Sequence, residues 1–292
     1  MRESMFRIAT NIGADASDAV LLRLANNAAF ALPTAGMVIR INRSFGLRSR
    51  AYKNVMLGNW FAAVDAPTIR LTEGIQQPIT DGDLVATVWQ YVPPLEPHPT
   101  ITELGHVLRA FHDLGSPDEA LPVWDPVGDT RARIKDAEGL ADGDRDYLLG
   151  YCDRLEPRLR DYVAAQPTGL VHGDAIQANL LRRGDGRVLM CDFDGTCRGP
   201  QLVDLVPTLV NEIRFNRPSG HAQLVAGYGY DITTDAAWPM LREARELKMV
   251  VGALPRLASE PRAAAEFQRR LASIRTGDAS ASWTPFAQLA RG

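Results

Sequence analysis

One stretch of the chain concentrates the side chains that could carry out a reaction. Its polar members stand at the ends of short apolar runs, and they are His172, Asp174, Asn179, Asp192 and Asp194. Carboxylates brought to one place repel each other, so a divalent cation is the simplest reason to gather them. Oxygen ligands favour Mg²⁺ over zinc, and a carboxylate left off the metal could accept a proton from a hydroxyl group. These residue types are those that phosphoryl transfer requires.

The order of these residues resembles a known family. H-G-D-x-x-x-x-N, a short hairpin and then D-x-D, as they stand at residues 172–194, are similar to the aminoglycoside phosphotransferase family of the protein-kinase-like superfamily. Further segments resemble the same family, namely DLVATVWQYVPP, LGHVLRAFHDLG and GPQLVDLV. The resemblance covers nearly the whole chain and is strongest from Leu170 to Leu209.

The resemblance implies a role for each polar residue. Asp174 would be the catalytic base that positions the acceptor hydroxyl, and Asn179 and Asp192 would hold Mg²⁺. His172 would brace the catalytic loop. Two further acids would support the site, Asp194 in the metal shell or on the substrate side and Asp204 beneath the loop.

A nucleotide site is also implied, with ATP or GTP as the ligand. The hinge backbone at Gln90, Tyr91 and Val92 would bind the purine. The glycine-rich loop of protein kinases is absent, and the first turn is LANNAAF instead. Asn26 and Asn27 tolerate left-handed backbone, but this turn should hold phosphates less closely than glycines would.

The strand lysine of protein kinases is absent, and MVIRI offers Arg40 in its place. Because arginine stays charged and binds phosphate bidentately, Arg40 is our candidate for the nucleotide phosphates. The chain has only three lysines, and Lys53 is the only one close enough in sequence to substitute. No acid occurs from Arg40 to Val64, against five bases, among them Arg43. This segment is either a positive patch near the triphosphate or a solvated helix face.

The elements that must position these residues fall into two groups. Apolar runs at 20–24, 28–32 and 37–41 predict a three-stranded meander. A helix over 48–64 and a strand over 84–92 follow, and Pro93-Pro94 ends the strand. Beyond it the pattern is helical, apart from the short apolar pieces around the polar residues, and the first helix opens on the capping box Thr100-x-x-Glu103.

The pattern predicts an α+β protein, and the resemblance implies a protein-kinase-like bilobal fold. Residues 1–92 would form a small antiparallel β-rich N-lobe that binds nucleotide and ends in the hinge. Residues 93–292 would form a larger, mainly helical C-lobe with the catalytic loop and the acceptor site.

Composition limits the partners. The 292 residues carry a net charge of −3, so there is no global basic field for nucleic acid. Three cysteines with no C-x-x-C indicate a reducing cytoplasm, and no apolar run approaches a membrane span. We expect a cytoplasmic monomer or homodimer whose partners are a nucleoside triphosphate and a small hydroxylated acceptor.

The acceptor is not fixed by the resemblance. A polycationic aminoglycoside favours an acidic pocket, yet residues 204–292 hold nine acids and eleven bases, and residues 121–168 hold ten acids and seven bases. Acids of the middle segment or of the late helices could face a cationic acceptor, or pair with neighbouring arginines. A small hydroxylated metabolite or antibiotic is therefore our expectation.

Two other functions would each explain part of the sequence. VLMCDFDGT resembles the first motif of haloacid dehalogenase-type phosphatases, in which Asp192 would be a nucleophile and Asp194 an acid/base. The only lysine after Asp194 is Lys248, with no close acidic pair beyond it, and the phosphatase hypothesis leaves the H-G-D segment unexplained. A non-catalytic binding protein on a kinase-like fold would be marked by loss of Asp174 or Asp192, and both are present.

Overall fold

The computed structural model describes residues 1–24, 27–42 and 48–289. Its helices are α1 (Arg2–Asn11), α2 (Arg48–Ala63), α3 (Ile101–His112), α4 (Pro126–Lys135), α5 (Asp142–Ala165), α6 (Val206–Phe215), α7 (Gly220–Tyr228), α8 (Trp238–Val251), α9 (Pro261–Arg275) and α10 (Phe286–Leu289). Its strands are β1 (Val20–Leu24), β2 (Asn27–Leu32), β3 (Met37–Asn42), β4 (Ile79–Asp81), β5 (Leu84–Gln90), β6 (Gly169–Val171), β7 (Leu180–Arg182), β8 (Val188–Met190) and β9 (Cys197–Gly199). The α+β class predicted from the sequence is confirmed.

The chain groups into two compact units. The strand-rich unit comprises Met1–Leu121 and Gln177–Thr196, and the helical unit comprises Pro122–Ile176 and the residues from Cys197 onward. The strand-rich unit therefore includes α3 and the β7–β8 segment as well as the first five strands. The predicted division into functional lobes at residue 92 stays a prediction.

The strand-rich unit is built on a five-stranded antiparallel sheet in the order β1-β2-β3-β5-β4. The predicted meander, the following helix and the turn at Asp81-Gly82 are all present. Strand β3 lies in the middle of the sheet, where Arg40 is opposite Ala29 on β2 and Thr87 on β5. A central strand holds its side chains at fixed positions, because both of its edges are hydrogen-bonded.

The two faces of this sheet are covered by different helices. On one face Ile39, Ile41 and Val88 join Met5 and Ile8 of α1 in a buried apolar cluster. Since successive side chains of a strand point to opposite faces, Arg40 lies on the face away from α1. The pattern did not predict α1, whose apolar positions are few and lie ahead of the first strand.

An aromatic cluster fixes the segment between the two acids of D-x-D. Phe193 is fully buried, and its ring centroid lies 4.8 Å from that of Phe61 on α2 and 5.8 Å from that of Trp89 on β5. Phe61 also lies 5.6 Å from Phe111 on α3. Tilted aromatic pairs at these distances are favourable, so Phe193 anchors its neighbours to α2 and β5 of the strand-rich unit.

The helical unit places α8 at its centre, where it packs against α4, α5, α6 and α9. Strand β6, which leads to the H-G-D segment, pairs antiparallel with β9. Strand β9 was not predicted, because three residues carry no periodic signal of their own. No helix among the described residues is long and apolar enough to cross a membrane.

Two buried arginines connect residues 278–284 to the helices of the helical unit. Arg214 is 2% exposed and donates to Glu246 at 2.8 Å and to the carbonyl oxygens of Asp278 at 2.8 Å and Ala281 at 3.0 Å. Arg270 pairs with Glu266 at 2.9 Å and donates to the carbonyl oxygens of Met249 and Thr284. Each guanidinium thus satisfies backbone groups that helix packing leaves without partners.

Candidate active site

A hairpin positions the two predicted metal ligands. Strands β7 and β8 pair antiparallel with Leu180 opposite Met190, and the backbone N–H of Cys191 donates to the carbonyl oxygen of Asn179 at 2.9 Å. Asn179 therefore precedes one strand and Asp192 follows the other at the same open end of the hairpin. Asp192 has φ of 68° and ψ of 71°, a left-handed conformation that non-glycine residues seldom adopt and that concentrates at functional sites.

Two guanidinium groups approach the Asp192 carboxylate. Arg40 Nη2 lies 2.6 Å from Asp192 Oδ1 and 2.9 Å from Asp194 Oδ2, and Arg23 Nη1 on β1 lies 3.1 Å from Asp192 Oδ2. The Arg40 side chain is 15% exposed, whereas that of Arg23 is 62% exposed. Arg40 is thus the inner cation of this group, set between both acids of D-x-D.

The second acid is held by amides. Asn27 on β2 and Asn54 on α2 each donate a side-chain N–H to the Asp194 carboxylate at 2.8 Å. Lys53, beside Asn54 on α2, donates instead to the carbonyl oxygens of Asp194 at 2.8 Å and Thr196 at 2.7 Å. The lysine therefore holds the backbone after Asp192, while the arginine meets the carboxylates.

The charges of these side chains shift the pKa values of Asp194 and Arg40. Burial acts to raise the pKa of Asp194, but Arg40 and the two amides outweigh it and lower the pKa below its ordinary value. Burial likewise acts to lower the pKa of Arg40, yet Asp194 and Asp192 raise it overall. Both side chains are therefore charged at neutral pH.

The donor set at the open end of the hairpin suits Mg²⁺. A carboxylate from Asp192 and an amide oxygen from Asn179 are hard oxygen ligands, and Mg²⁺ commonly takes one or two protein ligands and completes its shell with phosphate oxygens and water. In the described part of the chain there is no cluster of three or more His, Cys, Asp or Glu side chains able to hold a metal. A cation at this hairpin would thus depend on the nucleotide for its remaining ligands.

Two backbone N–H groups of the predicted hinge already donate hydrogen bonds within the protein. The backbone N–H of Gln90 donates to the carbonyl oxygen of Arg70 at 2.9 Å, and that of Tyr91 donates to the carbonyl oxygen of Gly36 at 2.8 Å. A purine contact through a hinge N–H would therefore fall to Val92. Carbonyl oxygens accept two hydrogen bonds, so those of the hinge can serve as well.

The predicted catalytic loop, which carries Asp174, lies in the helical unit. The buried carboxylate of Asp204 accepts the backbone N–H of His172 at 2.6 Å and that of Gly173 at 2.8 Å. His172 is itself fully buried, and its Nδ1 accepts the backbone N–H of Asp174 at 3.3 Å. Gly173 has φ of 79°, which a side chain would strain. Asp204 and His172 thus fix the backbone on which Asp174 is presented.

Two cations on α8 surround the Asp174 position. Arg245 Nη1 lies 3.1 Å from Asp174 Oδ1, and Lys248 Nζ donates to the carbonyl oxygen of Gly173 at 2.8 Å. The Asp174 side chain remains 35% exposed. Burial acts to raise its pKa, but Arg245, Lys248 and His172 outweigh it, so the pKa lies below its ordinary value. Burial and then Arg245 lower the pKa of Lys248.

The structure brings the candidate residues together in two groups, one in each unit. The group in the strand-rich unit is Arg40, Asn179, Asp192 and Asp194, and the group in the helical unit is His172, Asp174 and Asp204. Of the predicted loop and basic segment, Asn26 and Arg43 lie outside the described residues.

Sequence reasoning missed four side chains of these groups, which are Arg23, Asn54, Arg245 and Lys248. The absence of acidic residues in α2 was a signal for Asn54, because an acid-free helix can contact the D-x-D segment only through other polar side chains. The others depend on pairing between elements far apart in the chain, and Arg245 is 71 residues from Asp174.

Comparison with known protein families gives a match over most of the chain. A model of the phosphotransferase enzyme family matches residues 9–247. No curated protein matches the sequence significantly.

Solved structures resemble the fold at low sequence identity. The GDP and kanamycin complex of APH(2")-IIia is 15% identical with a TM-score of 0.63, over 95% of this chain and 100% of that one. A choline/ethanolamine kinase family protein from Mesorhizobium loti is 18% identical with a TM-score of 0.57, over 94% of this chain and 100% of that one. The aminoglycoside phosphotransferase APH(3'')-Id from Streptomyces rimosus is 14% identical with a TM-score of 0.61, over 84% of this chain and 98% of that one.

Proposed function

The chain belongs to the phosphotransferase enzyme family, and we propose on that premise that it transfers the γ-phosphoryl group of ATP or GTP to a hydroxyl group of a small antibiotic or metabolite. The observation that carries the proposal is the setting of Asp174. Its carboxylate is partly exposed at the end of β6, on a loop that Asp204 fixes through two backbone hydrogen bonds. That is how a residue that orients a substrate hydroxyl must be held.

Asp174 acts on the acceptor. It accepts a hydrogen bond from the hydroxyl group and takes its proton as the acceptor oxygen forms a bond to the γ-phosphorus. The bond between the γ-phosphorus and the bridging oxygen breaks, and the nucleoside diphosphate leaves with that electron pair. The lowered pKa of Asp174 keeps the carboxylate ionised and ready to accept the proton.

The strand-rich unit binds the nucleotide. Arg40 meets the phosphates, Asn179 and Asp192 hold Mg²⁺, and the hinge at Gln90–Val92 contacts the purine. When bound, the cation neutralises charge on the phosphate oxygens. The D-x-D segment supports this assignment, because Phe193 anchors it and α2 holds the backbone that follows.

The family match leaves the phosphatase alternative without support, and the presence of both Asp174 and Asp192 argues against a non-catalytic binding protein. The solved relatives whose names mention kanamycin and choline keep both antibiotics and metabolites open as acceptors. A cytoplasmic location, a role in antibiotic resistance and a monomeric or homodimeric state stay predictions.

The proposal is tested by phosphoryl transfer in the Asp174→Asn variant. The protein is incubated with ATP or GTP and Mg²⁺ and a panel of antibiotics and metabolites, and phosphate gain is measured by mass spectrometry. Loss of a general base lowers kcat by about 10²- to 10⁴-fold, while nucleotide affinity should be unchanged because Asp174 does not contact the nucleotide in this assignment.

Asp153→Asn is the matched control, since Asp153 is an exposed acid of α5 in the same unit and should retain full activity. Full transfer by Asp174→Asn would remove Asp174 from the catalytic step. Release of phosphate through a phospho-aspartate at Asp192 would favour the phosphatase instead.

A further inference from the structure

The charged side chains of α8 make two kinds of contact. Its acids are committed to structural ion pairs within the helical unit. Glu243 pairs with Arg158 at 2.8 Å, and buried Glu246 pairs with Arg214 at 2.8 Å and Arg242 at 2.7 Å. Arg242 is thus used in a structural pair, whereas the other two cations of the helix, Arg245 and Lys248, approach the Asp174 loop.

Other acids that could have served a cationic acceptor also have internal partners. Asp125 caps α4 by accepting the backbone N–H of Gly128 at 2.8 Å. Asp144 accepts from Gln268 at 2.7 Å and from Arg275 at 2.8 Å. Glu212 accepts the backbone N–H of His221 at 2.7 Å. Asp129 acts to raise the pKa of Lys248 and Arg133 acts to lower it, so the effects of these two charges on Lys248 oppose each other.

From this arrangement we infer that the acceptor carries an acidic group, a carboxylate or a phosphate, and that Arg245 binds it. The inference rests on the proposed function, because it concerns the molecule whose hydroxyl group Asp174 orients. Such a hydroxyl must come within hydrogen-bond distance of the Asp174 carboxylate. The acceptor is therefore within a few ångströms of the Arg245 guanidinium, which lies 3.1 Å from the same carboxylate.

The charge of an acceptor that lies this close to Arg245 determines how favourably it binds. A polycationic acceptor would bring ammonium groups against a guanidinium and an ammonium group, and like charges placed together disfavour binding. An acidic group gains charge-assisted hydrogen bonds from arginine, which can bind a carboxylate or a phosphate through two parallel N–H donors. Arg245 is suited to this task because its Nε is buried and has no hydrogen-bond partner among the residues that the structure describes, so an acceptor oxygen would complete it.

The test compares four classes of hydroxylated compound under one set of conditions. They are hydroxy acids, sugar phosphates, neutral sugars or polyols, and aminoglycosides, each with ATP and Mg²⁺, with kcat and KM measured for every compound that gains phosphate. We expect the highest kcat/KM in the hydroxy-acid or the sugar-phosphate class. The difference between those two classes identifies which acidic group Arg245 recognises.

Variants then test Arg245 itself. Arg245→Ala should raise KM for the acidic acceptor about 10- to 100-fold, the range given by a lost charge-assisted hydrogen bond, with KM for ATP unchanged. Arg245→Lys should recover part of that loss. Arg158→Ala removes the same charge from the helical unit without touching Asp174, and it should leave KM for the acceptor unchanged.

The pH profile separates loss of the Arg245 charge from a loss of folding. Because Arg245 lowers the pKa of Asp174, replacing it with alanine raises that pKa, and the acid limb of kcat moves to higher pH. Loss of folding alone would lower activity without moving the limb.

Three outcomes decide the matter. Preference for acidic acceptors together with a selective rise of KM in Arg245→Ala supports the inference. Use of aminoglycosides or neutral sugars but of no acidic compound overturns it and leaves the proposed function standing. If no compound gains phosphate and ATP does not bind, the proposed function fails and the inference fails with it.

Discussion

The cation beside Asp192 is a guanidinium group rather than an ammonium group. Arg40 reaches both Asp192 and Asp194, and neighbouring Arg23 adds a second guanidinium from the exposed strand β1. An arginine cannot deprotonate and offers several donors in a fixed plane. One residue can therefore hold two carboxylates apart and still present donors to phosphate oxygens.

We predict that Arg40→Ala destabilises the protein and weakens nucleotide binding. Breaking a buried ion pair by removing one partner costs about 3–5 kcal/mol, because the remaining charges lose their compensation. Denaturant unfolding measures the stability, and titration with ATP and Mg²⁺ measures the affinity. Arg40→Lys should restore part of both.

Arg23→Ala is the control, because Arg23 is largely exposed and exposed pairs contribute about 0–1 kcal/mol. Equal losses in the two variants would show that Arg40 has no special place at the D-x-D segment.

Several candidate residues could be predicted because their spacing along the chain is short and ordered. Asp174 and Asn179 are five residues apart, and Asp192 ends the next apolar run. Arg40 was found from its position in a strand. Arg245 could not be found in this way, since its contact with Asp174 depends on how α8 packs in the helical unit.

Helix α2 contains no acidic residue. It meets the D-x-D segment through Lys53 and Asn54, one on backbone carbonyls and the other on the Asp194 carboxylate. Lys53 is thus neither solvated nor directed at the Asp192 carboxylate, whereas Arg40 of the preceding strand contacts that carboxylate. Gly58 lets α2 approach Leu71 and β5, because a β-carbon there would lie 2.8 Å from the Leu71 side chain and 3.3 Å from that of Trp89.

We predict that Lys53→Met lowers kcat more than it raises KM for ATP. The substitution keeps the length of the side chain but removes the donors that hold the backbone after Asp192, so this proposed metal ligand loses precise placement. We expect a decrease of about 10- to 100-fold in kcat, equivalent to the loss of about 1.5–3 kcal/mol for a charged hydrogen bond. Steady-state kinetics at saturating acceptor measure both constants.

Arg48→Met is the matched control on the same helix. Arg48 donates to the carbonyl oxygen of Gly82 at 3.2 Å, away from the D-x-D segment, and its loss should leave kcat near the wild-type value. A loss confined to KM for ATP in Lys53→Met would instead indicate that Lys53 binds the phosphates.

Elements with strong local signals were predictable, and the others were not. The meander, α2 and the capping box of α3 follow from alternation, helical spacing and a Thr/Glu pair, and all three are present. Helix α1 and strand β9 lack such signals, because α1 is short with few apolar positions and β9 is defined by its pairing with β6. Tertiary contacts, rather than local pattern, decide such elements.

At the scale of the molecule, the preference for arginine over lysine has a structural explanation. Arg214 and Arg270 are almost fully buried, and each joins a glutamate to backbone carbonyl oxygens near the end of the chain. The Trp283 ring lies under both guanidinium groups, at 4.5 Å from Arg214 and 5.1 Å from Arg270. A planar group with several donors can satisfy an acid, a carbonyl and an aromatic face together, which an ammonium group cannot do as well.

We predict that Arg214→Met destabilises the helical unit by about 3–5 kcal/mol, because Glu246 would remain buried with less compensation. Denaturant unfolding followed by tryptophan fluorescence measures the change. Arg158→Met, at an exposed position of α5 whose partner Glu243 is also partly exposed, is the control and should cost about 0–1 kcal/mol. An unchanged unfolding midpoint in Arg214→Met would contradict a stabilising role for this arginine.

The scarcity of lysine also makes the protein easy to follow by chemical labelling. Lys135 is exposed on α4, whereas Lys53 lies at the D-x-D backbone in the strand-rich unit and Lys248 lies at the Asp174 loop in the helical unit. Besides the α-amino group, an amine-acylating reagent therefore meets only three lysines, with Lys135 as the internal reference. Protection of Lys53 would report on nucleotide, and protection of Lys248 on acceptor, in one peptide map of the unmutated protein.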